Sequence, residues 1–381
     1  MKKTKLKKIR NCVLLFSLML CACNAEEQQT ITTIQLSAHE EELFASSVLQ
    51  EQHYTLLEAM GQESVINSIK RVLCADDLCF IVDTDRNKIT SFDYNGKFIS
   101  STSHLIGHAT NEYLHIQDAA IDIQQKRIYL HCDSPYQMMI LDYDLNVKET
   151  IKLEEFFREF TLDSEFIYAL CPDLTNESRY ELRKYRKENI TGDYDILVEQ
   201  NHAIARARGL GKHMNGNGRS TYVCMPFDNT LYEITSGKIK RSWKLDFSGK
   251  WFDYEQNKNL MGYQFTQANP NVLWSVQNII ASDTAVLFNT NLSDLFMASL
   301  NTGIGASYSS FTNDSIPFSN SWLLPTSGKY DVTFAIPATQ IAGYKEWYLN
   351  QGTEIPKTPI RHLIEKVESD GNPLLIFGKM K

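Results

Sequence analysis

The chain has 381 residues, of which 43% are hydrophobic, 11% aromatic and 22% charged, with 10 prolines and 18 glycines. That composition excludes disordered, collagenous and low-complexity chains, and the length suits two domains or one repetitive architecture. The formal net charge of -8 hides an asymmetry: positions 1–22 hold six basic residues and no acidic one, so the rest sets 32 basic against 46 acidic residues. A body that acidic repels phosphates, which argues against nucleic acid as a partner.

Lys2 to Arg10 is basic, and Val13 to Cys21 is an apolar run of nine residues. That run is too short for a membrane-spanning helix of roughly 20 residues. A charged start and a short apolar run predict a secretion signal over residues 1–22. Leu20-Cys21-Ala22-Cys23 then places a large aliphatic residue and a small one ahead of a cysteine. It resembles the lipobox cut by the lipoprotein signal peptidase. The resemblance implies that the Cys23 thiol is acylated, becomes the new N-terminus and ties the protein to a membrane, several acyl chains holding where one does not. Asn24 is not the Asp of inner-membrane retention, and Glu26-Glu27 is similar to the acidic surface-export tag of Bacteroidota lipoproteins. The expected location is the cell envelope at the outer membrane, on its periplasmic or its outer side.

Residues 23–45 read as an anchored tether ending in a lead-in strand, Thr30 to Leu36, whose residues alternate. His39 to Gln50 reads as a short amphipathic helix or an irregular lead-in. From residue 46 to 381 short β segments dominate. The first are Tyr54–Leu57, Val65–Leu73, Leu78–Val82, Lys88–Phe92, Phe98–Ser101, Ala119–Ile123, Arg127–Leu130 and Met138–Tyr143, separated by turns rich in Asp, Asn and Gly. Thr358–Val367 reads as one short helix near the end. Cys74 and Cys79 flank a predicted hairpin turn; they either pair in an oxidising compartment or serve as small buried apolar side chains.

An internal repeat organises these segments. Phe80, Phe92, Asp93 and Tyr94 match Tyr129, Leu141, Asp142 and Tyr143 at one offset of 49 residues. Looser copies begin at Phe166, Tyr222 and Ala285. Repeats of about 40–50 residues with several short strands are the signature of β-propeller blades, in which each sheet buries its faces against its neighbours. The fold class is therefore all-β, a β-propeller of four-stranded antiparallel blades. Arithmetic on residues 46–381 admits six blades or seven.

Cys79-Phe-Ile-Val-Asp-Thr-Asp-Arg-Asn-Lys-Ile-Thr-Ser-Phe-Asp-Tyr-Asn-Gly-Lys-Phe98 resembles an NHL-type blade. Gly107 to Tyr113 sits where such blades carry their linker, although His108, Ala109, Thr110 and Asn111 replace its usual Gly and Pro. With the lead-in Tyr54–Val72, the motif Asp228–Ile234, the pair Asn313-Asp314 and the ending Asp370–Ile376, the chain resembles the NHL-like, TolB-like six-bladed β-propeller lipoprotein family of Bacteroidota. That resemblance implies six blades and export, and little chemistry.

Several constellations are candidates for chemistry. His104, His108, Glu112 and His115 would offer a metal pair on a helix, but they fall in a linker and read as solvated or turn-capping residues. Between Asn201 and Phe227 no acidic residue occurs, and Arg206, Arg208, Lys212 and Arg219 make a basic segment with glycines at 209, 211, 216 and 218. It reads as a cradle for an anionic group or as a solvated insertion. Trp243, Trp251, Phe252, Tyr254 and Trp274, then Trp322, Trp347 and Tyr348, suit sugar stacking or packing between blades. Asp83, Asp93, Asp133, Asp142 and Asp144 recur in phase, as turn-forming residues do. Asp283-Thr-Ala and Asp314-Ser-Ile resemble O-glycosylation acceptors of these bacteria.

No serine-hydrolase elbow, phosphate loop or dinucleotide fingerprint is present. The reading is a lipid-anchored, non-catalytic module for an anionic glycan or an envelope protein, with no cofactor and no metal. The alternative is an enzyme acting on a glycan or lactone in a central channel, often with calcium, marked by Asp, Glu, Asn or His converging on the axis from several blades. A third reading places the chain beside an envelope transporter, in sensing or assembly.

Overall fold

The computed structural model describes residues 31–38, 42–172, 179–204, 211–216, 218–313, 319–320 and 323–381. Thr32–Lys381 forms one compact unit. It opens with β1 (Thr32–Ser37), β2 (Leu43–Phe44) and β3 (Leu49–Leu56). Antiparallel meanders follow in chain order. The first is β4 (Arg71–Cys74), β5 (Leu78–Asp83), β6 (Lys88–Asp93) and β7 (Phe98–Ser101). The second is β8 (Ile116–Asp122), β9 (Arg127–Asp133), β10 (Tyr136–Asp142) and β11 (Val147–Lys152). The third is β12 (Glu159–Leu162), β13 (Phe166–Pro172), β14 (Tyr180–Arg186) and β15 (Asn189–Gln200). The fourth is β16 (Met214–Gly216), β17 (Thr221–Val223), β18 (Thr230–Thr235) and β19 (Lys238–Asp246). The fifth is β20 (Val276–Ala281), β21 (Ala285–Thr290), β22 (Leu295–Ser299) and β23 (Ile304–Tyr308). The chain ends with β24 (Phe311–Thr312), β25 (Ser319–Asn320), β26 (Thr326–Gly328), β27 (Val332–Ile336) and β28 (Leu374–Met380).

Strand side chains alternate between the two faces of a sheet, so a sheet buried on both sides reads as a continuous apolar run. Ala119 joins the core shared with the first meander, whereas Ala120 joins the core shared with the third; Leu130 and Tyr129 divide in the same way. Further cores join the third meander to the fourth and the fourth to the fifth. Ile280, Leu287 and Leu295 of the fifth meet Phe334, Leu374 and Ile376 of a closing sheet, β27–β28–β3. Leu375 and Phe377 on that sheet's other face meet Val72, Ile81 and Phe92 of the first meander. The series of sheets thus returns to its start, and the fold is propeller-like. Both ends of the described chain make the closure, because β3 and β27 flank β28 antiparallel.

Two accessory strands tie sheets together. β1 lies parallel to both β19 and β23, joining the fourth and fifth meanders into a nine-stranded sheet. β26 lies parallel to β4 on the inner edge of the first meander. There Gly328 has a φ of +112°, and a Cβ would strike the Cys74 carbonyl, so only glycine fits.

The in-phase aspartates cap turns. Asp83 Oδ1 accepts from the N–H groups of Asp85 and Arg86, Asp93 Oδ1 from Asn95 and Lys97, and Asp142 Oδ1 from Asp144 and Asn146. Strand prediction overran at Val65–Leu73, where the strand starts only at Arg71. The preceding N–H groups of Ile66 and Asn67 are taken by the side chains of Asn372 and Asp83 instead of a ladder. The helix expected over Thr358–Val367 shortens to Arg361–Ile364. A 13-residue helix, Ala338–Asn350, was not foreseen; it docks Ala338, Ile341 and Ala342 into the core behind the closing sheet.

Candidate functional site

The innermost strands of the five meanders carry polar residues at or near their starts: Lys70 and Arg71, Gln117 and Asp118, Arg158 and Glu159, Lys212 and His213, Gln277 and Asn278. Ring closure brings them together. Arg71 is fully buried, 3.5 Å from Asp118 Oδ1, and its Nη1 donates to the Ala119 carbonyl at 2.6 Å. Its Nη2 reaches Asn215 Oδ1 at 3.4 Å, and Asn215 Nδ2 donates to the Thr326 carbonyl at 2.6 Å. These bonds cross the hub.

Lys212 Nζ lies 2.5 Å from Asp118 Oδ2, which also accepts from the Phe160 N–H at 2.9 Å. Burial opposes the charge on Asp118, but Lys212 and Arg71 outweigh it and hold the carboxyl at about 2. Burial, then the Arg71 charge, brings the Lys212 ammonium down to about 8 against the pull of Asp118 and Glu159. Glu159 Oε2 accepts from the His213 N–H at 2.8 Å, and its Oε1 faces His213 Nδ1 at 2.7 Å. Burial draws the His213 pKa below its ordinary value, so the neutral ring donates from Nδ1 to Glu159 and accepts at Nε2 from the Ser275 hydroxyl, 2.8 Å away. All four carboxylate oxygens of Asp118 and Glu159 therefore already hold donors.

Above this floor lies a cavity of about 440 Å³ lined by Lys70, Gln117, Arg158, Lys212 and Asn278 together with the two carboxylates. Its size is that of ordinary small-ligand sites. Asn278 sits in a bulge of β20 between Gln277 and Ile280, with a φ of +53°. Its backbone N–H donates to the Lys212 carbonyl at 2.6 Å, and its Oδ1 accepts from the Lys212 N–H at 3.2 Å. Its buried Nδ2 has no hydrogen-bond partner among the described residues. The opposite end of the hub has a smaller cavity, about 230 Å³, with Asp122 and Asp163 in its wall; Asp122 pairs with buried Lys187 at 2.7 Å.

The predicted basic segment divides. Lys212 belongs to the hub, 4% exposed and paired, not to a solvated insertion. Arg219 stands at the surface, 3.6 Å from Asp283 Oδ2, and does not join the cavity. Arg206 and Arg208 lie outside the described residues, as do Cys23, Trp322 and Asp314. His104, His108 and His115 are exposed, and Glu112 caps the Ala109 N–H. No group of three or more His, Cys, Asp or Glu among the described residues is placed to hold a metal ion. Cys74 and Cys79 face each other across the β4–β5 ladder as buried free thiols. Trp243 and Trp274 are buried between sheets, Trp274 stacked on Phe227 and Trp251 on Phe247; Trp347 alone of the described tryptophans is exposed, on the helix Ala338–Asn350.

The sequence matches the family described as Domain of unknown function (DUF4934) over residues 30–379. The chain belongs to that family. The DUF4934 match spans the whole propeller-like unit except the C-terminal Met380 and Lys381. No curated protein matches it. Among solved structures, the chain is similar to BF0058, a candidate exported protein of Bacteroides fragilis, with a TM-score of 0.67 at 13% identity over 92% of this chain and all of that one. At that identity the likeness speaks for the fold. BamB from Moraxella catarrhalis is more distant, with a TM-score of 0.39 at 9% identity over 66% of each chain.

Proposed function

We propose that this DUF4934 chain is a lipid-anchored, six-bladed propeller of the cell envelope that acts as a non-catalytic binding module, its site at the hub mouth above Asp118 and Glu159. The five meanders and the closing sheet support the count of six. The residues around Cys23 support the anchor and, with it, the outer membrane. The likeness to a candidate exported protein agrees with the envelope.

One observation carries the binding reading: every carboxylate oxygen at the mouth already accepts a hydrogen bond, and among the described residues the cavity wall sets the cations Lys70, Arg158 and Lys212 against only Asp118 and Glu159. Carboxylates held in this way by cations and hydrogen-bond donors have pKa values below their ordinary range and are poor general bases near neutral pH. A site of excess donors selects an anion. The partner is therefore an anionic glycan or an acidic face of an envelope protein.

The test is binding of the purified mature protein to acidic envelope polysaccharide at moderate salt, compared with the variant Lys70→Glu/Arg158→Glu. Loss of binding in the variant supports the mouth as the site. Equal binding rejects it. Release of shortened or unsaturated sugars during incubation would reject the non-catalytic reading and return the channel to enzyme chemistry.

A further inference from the structure

We infer that the group taken at the hub mouth is a carboxylate on a hydroxylated frame, an acidic sugar, and that Asn278 is the residue that selects it. This rests on the reading of the mouth as a binding site.

Asn278 ties β20 to Lys212 through its backbone N–H and its Oδ1, yet carries one donor that this packing does not use. It takes a left-handed backbone conformation that non-glycine residues seldom adopt, inside a bulge, a device that re-aims a side chain. Its amide orientation is fixed because Oδ1 accepts the Lys212 N–H. The –NH2 end is thereby set on the other side, buried beside the cavity that Asn278 helps to line and without a partner among the described residues. A buried amide donor left unpaired costs stability, and strain of this kind gathers at ligand sites.

Charge narrows the class. Lys70, Arg71, Arg158 and Lys212 stand against Asp118 and Glu159, with Asp133 behind Gln117, whose amide it accepts. Among the described residues, four cations against three carboxylates leave one positive charge. That suits a monoanion, since a phosphate dianion would bring a second charge with no counterpart. The rest of the wall includes Ser68, Thr84 and Gln117, side chains that bond to hydroxyls. An acidic sugar presents both kinds of group, and the cavity of about 440 Å³ has room for one.

The experiment is calorimetric or NMR titration of the purified mature protein with four probes: glucuronate, glucose, inorganic phosphate and a polyuronate. Each is repeated with Asn278→Asp and Asn278→Gly. Asp keeps the Oδ1 acceptor and tolerates the left-handed backbone but presents no donor; Gly removes the side chain and relieves the backbone, so one of the two remains folded if the other does not. Glucuronate is expected to bind at least about tenfold more tightly than glucose, and both variants to lose about tenfold or more. A polyuronate binding more tightly than glucuronate identifies a polymer as the source of the carboxylate, and equal affinity per residue a free sugar; both support the proposal. Glucose matching glucuronate, phosphate exceeding it, undiminished affinity in both variants, or no binding of any probe at about 10 mM overturns it. If Lys70→Glu/Arg158→Glu abolishes polysaccharide binding while both Asn278 variants keep it, only this inference falls; if the rim variant keeps binding, the underlying reading falls.

Discussion

Lys212 Nζ and Asp118 Oδ2 stand 2.5 Å apart with no more than 5% of either side chain exposed, linking the fourth meander to the second through the hub. Arg71 completes the group from the first meander. Removing one partner of a buried pair strands the other charge, which is far costlier than the pair is worth. Asp118→Asn leaves two buried cations facing a neutral amide and is expected to lower stability by about 3–5 kcal/mol. Lys212→Met leaves Asp118 with Arg71 and is expected to cost less. Guanidinium unfolding midpoints test the order. Asp118→Asn unfolding within about 1 kcal/mol of the parent would mean that the triad does not join the sheets energetically.

His131 predicts a pH dependence. It is fully buried against Phe157 and Phe160, and neither ring nitrogen has a hydrogen-bond partner among the described residues. Burial lowers its pKa from 6.5 to about 4, against the pull of Asp118 and Asp133. The folded ring stays neutral where the unfolded ring takes a proton. Its contribution is therefore complete above pH 6.5 and is lost as pH falls towards 4, on the order of 3 kcal/mol in all. Stability curves at pH 7 and pH 4.5 for the parent and His131→Leu check this. The loss between the two pH values should shrink in the variant, and an unchanged loss would assign it to other groups.

The hub explains what was readable in the sequence and what was not. Phe80 and Tyr129 do occupy matching second strands, as their 49-residue offset implied, because strands buried on both faces must be apolar throughout and short turns must be Asp-rich. Lys212 was visible as a cation of a segment that reads as an anion cradle or a solvated insertion, but its pairing was not, since only closure of the ring shows that Asp118, 94 positions away, meets it. The signal for the site was there: polar pairs such as Lys70-Arg71, Gln117-Asp118 and Arg158-Glu159 recur where an apolar inner strand begins. Gln277-Asn278 is the fifth such pair, but nothing in the sequence marked how Asn278 is held. Its role depends on a bulge inside Val276–Ala281, and bulges follow from pairing partners distant in sequence. The helix Ala338–Asn350 was missed because its buried face is only Ala338, Ile341 and Ala342, too weak a period to stand out.

The expected anchor is tested separately from the binding site. Cys23→Ala removes the thiol that acylation requires, so the protein should move from the membrane pellet to the soluble fraction of lysed cells, and metabolic labelling with a fatty-acid analogue should disappear. Continued sedimentation with membranes would count against a lipid at that residue. The propeller-like unit begins at Thr32, so this substitution should leave its thermal unfolding unchanged.

Asn372 offers a test of how the closing sheet is secured. It is 1% exposed. Its Oδ1 accepts from the Ile66 N–H at 2.8 Å, while its Nδ2 donates to the carbonyls of Glu58 at 2.6 Å and Ser64 at 2.8 Å. One side chain just ahead of β28 thus supplies the backbone bonds that residues 58–66 do not find in any ladder. Alanine would leave a donor and two acceptors without partners in a site too tight for easy hydration, and such groups cost about 1–3 kcal/mol each when stranded. With partial relaxation, Asn372→Ala should lose about 2–4 kcal/mol and raise hydrogen exchange at Ile66 before it does so in the second or third meander. Exchange that rises uniformly across all meanders would show that the closure and the ring open as a single unit. A cost below about 1 kcal/mol would show that β3–β28 pairing secures the closure without Asn372.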